Sequence, residues 1–273
     1  MPTSWGRRLR VSAICPTVRA PAPQGCHLAP PPLRRVTCAP VTPTHDAPTL
    51  ALLRQGRWFS GLPEDFQHRL VQPGRRVQLA RGERLFARGD ANSGLYAVLS
   101  GAISVGAVGP GGKEALVAVA EAPQWFGEIA LIDGGLRTHN ADAREASALL
   151  WLPLAELHAL LDEDPRRWQA FGQLAMEKLR ALFMGVEELA LLAAPARVAR
   201  RLLSLATAHG QLAEGQTRDA LQLNQEQLGA MLALTRQTVN LVLKDFEARG
   251  LLRCQYGRID ILDWAALGRE GEG

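Results

Sequence analysis

Between Asn224 and Leu262 the spacing of apolar residues changes twice. Leu228, Met231 and Leu232 share one helical face, and after a bend at Ala233-Leu234 a second stripe runs through Val239, Val242, Leu243 and Phe246. From Leu251 to Leu262 the period falls to two, with Tyr256-Gly257 at a turn. The pattern predicts two helices joined by a tight turn, then a β-hairpin. Asn224 and Gln227 have the types and spacing of a capping box, Thr235 can cap the second helix, and Gly250 ends it. Opposite the second stripe stand Arg236, Gln237, Asn240 and Lys244. Such side chains hydrogen-bond base edges and phosphates in a major groove, so a helix-turn-helix with a wing is expected, with duplex DNA as its partner.

Further upstream the period is short throughout. From Val77 to Leu152, alternating runs are punctuated at Gly82, Gly89, Gly94, Gly101, Gly106, Gly109, Gly111 and Gly112. That rhythm predicts a compact antiparallel roll or barrel. Between the two regions, Pro165 opens a helix running to about Ala193, with Asp162, Glu163 and Asp164 available for capping. Along it Phe171, Leu174, Ala175, Leu179, Leu182, Val186, Leu189 and Leu192 repeat at three- and four-residue steps. This is coiled-coil periodicity and predicts pairing with a second copy; packing against its own domain is the alternative. Pro195 breaks the helix. Arg197, Arg200 and Arg201 follow on a new helix and are expected on a solvated face, with a phosphate contact by one of them as the alternative.

Composition narrows the classes. The chain has 273 residues, 47% of them apolar, and a formal net charge of +4, a basic excess that suits a polyanion. Its longest apolar stretches are interrupted by Glu156, His158 and Pro195, so no membrane span is expected. Residues 1–49 hold ten of the seventeen prolines, six arginines and one acid, Asp46, a composition that predicts disorder. Arg7-Arg8 lacks the apolar run of an export signal. An organelle-targeting peptide and a start codon assigned too far upstream are the other readings of this segment. Four widely spaced cysteines, Cys15, Cys26, Cys38 and Cys254, make no disulfide framework, and a reducing cytoplasm is expected. Their spacing also argues against a compact iron–sulfur cluster. Scattered histidines, and the lack of nucleophile-elbow, zinc-protease, phosphate-loop and paired-cysteine motifs, argue against an enzyme.

One segment carries candidate binding chemistry. In WFGEIALIDGGLRTHNADA, residues 125–143, Gly127 begins a short apolar turn and Arg137-Thr138 lies ten residues later. Bare amides at such a turn, an arginine and a hydroxyl make an anion site, and Glu128 suits a ribose hydroxyl. From the spacing alone, a plain glycine turn with a surface arginine is an equal reading.

GEIALIDGGLRT resembles the phosphate-binding cassette of cyclic-nucleotide-binding domains, and RQTVNLVLKDFEARGLL resembles the recognition helix of the Crp/Fnr superfamily of bacterial transcription regulators. The resemblance covers about residues 55–265 in the family's order. It implies that the amides of Gly127 and Ile129, with Arg137 and Thr138, hold a cyclic phosphate, and that Glu128 binds the 2′-hydroxyl. Where cAMP-responsive members offer two hydroxyls to the purine, this chain has Leu182 and Phe183. The pocket is therefore expected to accept cAMP or another nucleotide with apolar packing on its base, take a different ligand, or stay empty. Ala233 stands at a turn position where the family often has glycine, and Leu241 where cAMP-activated members have an arginine, so the operator should differ.

The expected fold class is α+β. Residues 1–49 form a disordered extension, 50–163 a sensory β-roll and 164–193 a dimerisation helix. Residues 194–268 form a winged helix-turn-helix, and 269–273 a disordered tail. The expected function is a homodimeric cytoplasmic regulator that reads a pseudo-palindromic DNA site and contacts RNA polymerase. Arg236 is assigned to guanine, Gln237 to a base edge and Asn240 to a base edge or phosphate. Thr235, Thr238 and Lys244 are assigned to phosphates. An effector-independent or redox-responsive regulator of the same fold is the alternative, and a nucleotide-binding regulatory subunit or an enzyme a more distant one.

Overall fold

A computed structural model describes residues 47–109, 114–207, 212 and 217–272. The extension up to residue 46, the Gly111 and Gly112 turn and Gly273 lie outside the described residues, as do Cys15, Cys26 and Cys38. The first helix, α1, spans Ala47–Leu53 and buries Thr49, so residues 47–49, expected in the disordered extension, are helical. Next come α2 (Arg57–Ser60) and α3 (Glu64–Val71), then strands β1 (Arg75–Leu79), β2 (Arg84–Phe86), β3 (Gly94–Ser100), β4 (Ala102–Val108), β5 (Glu114–Glu121) and β6 (Trp125–Phe126). A short helix α4 (Glu128–Asp133) interrupts the strands before β7 (Asn140–Ala143) and β8 (Ser147–Pro153).

These strands form two antiparallel four-stranded sheets, ordered β1-β8-β3-β6 and β2-β7-β4-β5, that face each other as a roll. Strand alternation explains the two layers of core around them. On β3, Tyr96 and Val98 point into the roll with Val77, Ile103, Phe126 and Leu149. Leu95 and Ala97 point outward, against Trp58, Phe59, Leu157 and Phe171 of the covering helices. Trp125 stacks on Phe59 with ring centroids 5.5 Å apart and meets Trp58 edge-on.

After β8 come α5 (Leu154–Glu163), a 3₁₀ turn (Pro165–Arg167) and the long helix α6 (Trp168–Leu191). The Asp164 side chain caps the turn by accepting from the Arg166 amide. The periodic stripe of α6 splits in two. Phe171 and Leu174 are buried in the β-roll core, so the first third packs on its own domain and not on a partner. Leu179, Leu182, Val186 and Leu189 remain exposed, with Met176, Phe183 and Met184 beside them.

The chain breaks at Leu192–Ala193, and α7 (Ala194–Ala206) restarts with Pro195 in its first turn. Then follow β9 (Ala220–Leu221), α8 (Gln225–Leu232), α9 (Arg236–Ala248), β10 (Leu252–Gln255), β11 (Arg258–Ile261) and α10 (Trp264–Glu272). Thus the expected disordered tail is helical up to Glu272. Gly271 is buried, its carbonyl accepts from Arg200 Nε at 2.6 Å, and Glu270 pairs with Arg249. The apolar stripes of α7, α8 and α9 meet the hairpin in one core, including Val198, Leu202, Leu228, Val239, Phe246 and Ile259. This core touches the roll at Ala102 and Val119, and Arg218 pairs with Glu121 across the same seam.

Candidate functional site

The roll builds its polar centre around a reversal of the chain. β6 ends at Phe126, and the backbone enters α4 through Gly127 at φ 98°, a left-handed conformation. A Cβ there would stand 2.8 Å from Arg137 Nη1, so both the backbone and its close neighbour demand glycine. Arg137 lies inside, 3% exposed. Its Nη1 donates to the Gly127 carbonyl at 3.2 Å. Nη2 donates to the Gly94 carbonyl at 2.6 Å and to Ser93 Oγ at 3.4 Å. The Phe86 ring lies 4.4 Å from the guanidinium carbon, a cation–π distance.

These partners are neutral, and among the described residues no ion pair reaches Arg137. Its buried Nε has no hydrogen-bond partner. Burial lowers the pKa, and Tyr96, Glu128 and Asp90 act in the opposite direction. An arginine keeps its proton regardless, so the roll holds a buried cation on which Glu128 and Asp90 act only from beyond ion-pair distance, an arrangement that an anionic ligand would offset.

Glu128 is also buried, and its carboxylate accepts from Lys178 Nζ at 2.7 Å. Lys178 comes from α6 and donates to the Trp125 carbonyl at 2.8 Å as well. Sequence reasoning passed over this residue. The available signal was that Lys178 precedes Leu182 by one helical turn, on the same face. The remaining cassette residues lie at the surface. Ile129 and Thr138 are exposed, and the Thr138 hydroxyl is 2.9 Å from His139 Nδ1. His139 itself is half-buried, and burial lowers its pKa, with Arg88 adding to the effect. Leu182 and Phe183 are 54% and 64% exposed. The structure thus gathers Gly127, Glu128, Arg137 and Lys178 and leaves Ile129, Thr138, Leu182 and Phe183 open to solvent.

In the C-terminal domain the caps form as the sequence predicts. Asn224 and Gln227 exchange side-chain and backbone hydrogen bonds at 2.9 Å each. Thr235 Oγ1 accepts from the Thr238 amide at 3.1 Å. Ala233 takes φ 53° between the helices, and Gly229 lets the turn close, since a Cβ there would meet the Leu234 carbonyl at 2.7 Å. Val239, Val242, Leu243 and Phe246 are buried, and Arg236, Gln237, Leu241 and Lys244 are exposed on the opposite side of α9.

Two expectations need correction here. Asn240 does not point freely outward: it is half-buried, and its Oδ1 lies 3.1 Å from Gln225 Nε2, leaving the amide nitrogen for an outside partner. Nor do Arg197, Arg200 and Arg201 form a solvated face. All three are half-buried: Arg197 donates to the Leu232 carbonyl at 3.4 Å, Arg200 holds Gly271 and lies 3.7 Å from Glu188, and burial lowers the Arg201 pKa.

A β-roll with a buried arginine cradle, a long helix and a winged helix-turn-helix define a class: transcription regulators built from a sensor and a DNA-binding head. Residues 76–164 match the cyclic nucleotide-binding domain, and residues 196–270 match the Crp-like helix-turn-helix domain. The chain is 30% identical over 210 residues to the cyclic AMP receptor protein of Thermus thermophilus, covering 77% of this chain and 94% of that protein. It is 28% identical over 218 residues to the CRP-like cAMP-activated global transcriptional regulator of Mycobacterium tuberculosis, covering 80% and 97%. A CRP-family transcriptional regulator structure from Thermus thermophilus shares 26% identity with a TM-score of 0.57, covering 72% of this chain and 96% of that one. This chain belongs to the Crp/Fnr superfamily of transcription regulators.

No described helix is long and apolar enough to cross a membrane. Among the described residues no group of histidine, cysteine and acidic side chains could hold a metal.

Proposed function

We propose that two copies of this chain pair along α6 and that a cyclic nucleotide in the β-roll controls how the paired winged helices meet duplex DNA. The effector half rests on one observation, the buried Arg137 cation with neutral partners and an unpartnered Nε. A cyclic phosphate supplies the missing negative charge, with the Gly127 and Ile129 amides and the Thr138 hydroxyl as further donors. Glu128, shared with Lys178, receives the ribose hydroxyl, and Leu182 and Phe183 pack on the base. Pairing is supported by the exposed apolar face of α6, which a second copy would cover. The dimer then presents two α9 helices about 34 Å apart to a pseudo-palindromic site. Arg236 reads guanine and Gln237 a base edge. Asn240 offers its amide nitrogen to a base or phosphate, and Thr235, Thr238 and Lys244 hold phosphates. Such a regulator works in the cytoplasm and meets RNA polymerase at its promoters.

Effector control requires that the ligand bind one arrangement of the heads better than the other. Isothermal titration with cAMP, cyclic GMP and cyclic di-GMP tests the pocket. One of them should bind, and Arg137→Ala should weaken it about 10- to 150-fold, the worth of a charge-assisted hydrogen bond. No heat from any of the three, or unchanged affinity in the variant, counts against the reading.

A second reading, an effector-independent regulator, has its own support. The Gly94 and Gly127 carbonyls and Phe86 already hold Arg137, and Leu182 and Phe183 offer a base no hydrogen bond. DNA binding of equal strength with and without every nucleotide would favour it.

A further inference from the structure

The exposed face of α9 carries Arg236, Gln237 and Lys244, with Asp245 paired to Arg249, and one large apolar side chain among them. Leu241 is 69% exposed, with Gln237 four residues before it and Lys244 three residues after it on the same face. Among the described residues Arg236, Gln237 and Lys244 make no hydrogen bond or ion pair. A lone exposed leucine is ordinary on most surfaces. It is less ordinary on a helix that presents Arg236, Gln237 and Lys244, donors for bases and phosphates, on the same side.

We propose that Leu241 is a specificity-determining residue that reads the C5-methyl group of a thymine in each half-site. The inference rests on the DNA-binding reading above. A leucine can neither pair with a phosphate nor hydrogen-bond a base edge, so its favourable contact in a major groove is apolar. Among the four base pairs, the thymine methyl is the apolar group displayed there. Leu241 lies five residues beyond Arg236, a rise of about 7.5 Å along the helix. The thymine therefore falls within about three base-pair steps of the guanine that Arg236 contacts. Contact removes the leucine and the methyl group from water together, so discrimination arises without a hydrogen bond.

The test begins with a duplex selected from a random pool by the full-length protein. Each thymine in a half-site is then replaced by deoxyuridine, which keeps every hydrogen-bonding group and lacks only the methyl. A replacement in one half-site should weaken binding roughly 3- to 10-fold, the effect of about one methyl group. Leu241→Ala should bind the thymine and deoxyuridine duplexes equally. Leu241→Met, still apolar and long, should keep most of the difference. Unchanged thermal unfolding would show that both variants fold, as expected at an exposed helical position. Leu241→Arg should move the preferred base at that position from thymine to guanine.

The proposal is overturned if the wild type ignores deoxyuridine everywhere, or if Leu241→Ala keeps the wild-type sensitivity. In either case the selected duplex still binds, so the regulator reading stands. Failure to enrich any duplex would overturn both.

Discussion

The Glu128 carboxylate accepts from the Lys178 ammonium at 2.7 Å, joining the anion cassette of the roll to the long helix fifty residues later. Glu128 is buried and the Lys178 side chain is 30% exposed, so the pair is screened on one side only. A ligand hydroxyl that engages Glu128 meets a carboxylate already held by α6. In the proposed reading, effector occupancy and helix position would therefore share one group.

Removing the lysine should expose the cost of that arrangement. Lys178→Met leaves a buried carboxylate without its cation and should lower the unfolding free energy by about 2–4 kcal/mol in urea. Combining it with Glu128→Gln should recover part of the loss, since the neutral amide needs no counter-ion. Strictly additive losses would show that the two groups do not interact.

The exposed face of α6 should control assembly without controlling the fold. Leu182→Asp with Val186→Asp introduces two charges one turn apart, on a face that buries nothing in the single chain. Sedimentation should show a dimer for the wild type and a monomer for the variant at equal concentration. The circular dichroism spectrum should be unchanged, because Phe171 and Leu174 still anchor the helix to the roll. A variant that remains dimeric would place the interface elsewhere.

Ala233 is a strained residue with a simple remedy. Among the described residues it is the one non-glycine residue at positive φ, 53°. Ala233→Gly removes the Cβ strain at the cost of some chain entropy and should stabilise the protein by about 0.5–1 kcal/mol, raising the thermal midpoint. Ala233→Val should lower it. The opposite order would mean that the turn relaxes in solution.

The wing cysteine should be slow to react. Burial, with Glu247 adding to it, pushes the Cys254 thiol up to about 11. A raised folded-state pKa means that the folded chain keeps its proton longer than the unfolded one. The associated stability is therefore complete below about pH 8.5, the ordinary thiol range, and is lost as pH rises towards 11. With Cys15, Cys26 and Cys38 replaced by serine, iodoacetamide should modify Cys254 slowly at pH 8 and faster as pH approaches 11. Rapid modification at pH 7 would contradict the burial.

The helix-turn-helix was the easiest part to read because its determinants are local. The capping box spans Asn224 to Gln227, the Thr235 cap spans three residues, and the buried stripe of α9 follows from period alone. The glycine-punctuated roll was legible for the same reason, since turns and alternation are short-range properties. Reading stopped where a side chain finds its partner far along the chain. Arg137 is held by Gly94 and Ser93, more than forty residues earlier, and Arg200 by Gly271, seventy-one residues later. Neither partner leaves a mark on the local pattern.

The long helix shows the same division within one element. Its spacing established that Phe171 to Leu192 carry one apolar stripe, because a 3.6-residue turn brings such positions to one side whatever lies beyond it. What that stripe packs against depended on the assembled chain: the roll buries Phe171 and Leu174, while Leu182, Val186 and Leu189 extend past it. Periodicity records which side of an element avoids water. The matching surface comes from segments brought together only when the chain closes on itself, and the choice of Lys178 as the partner of Glu128 was settled there.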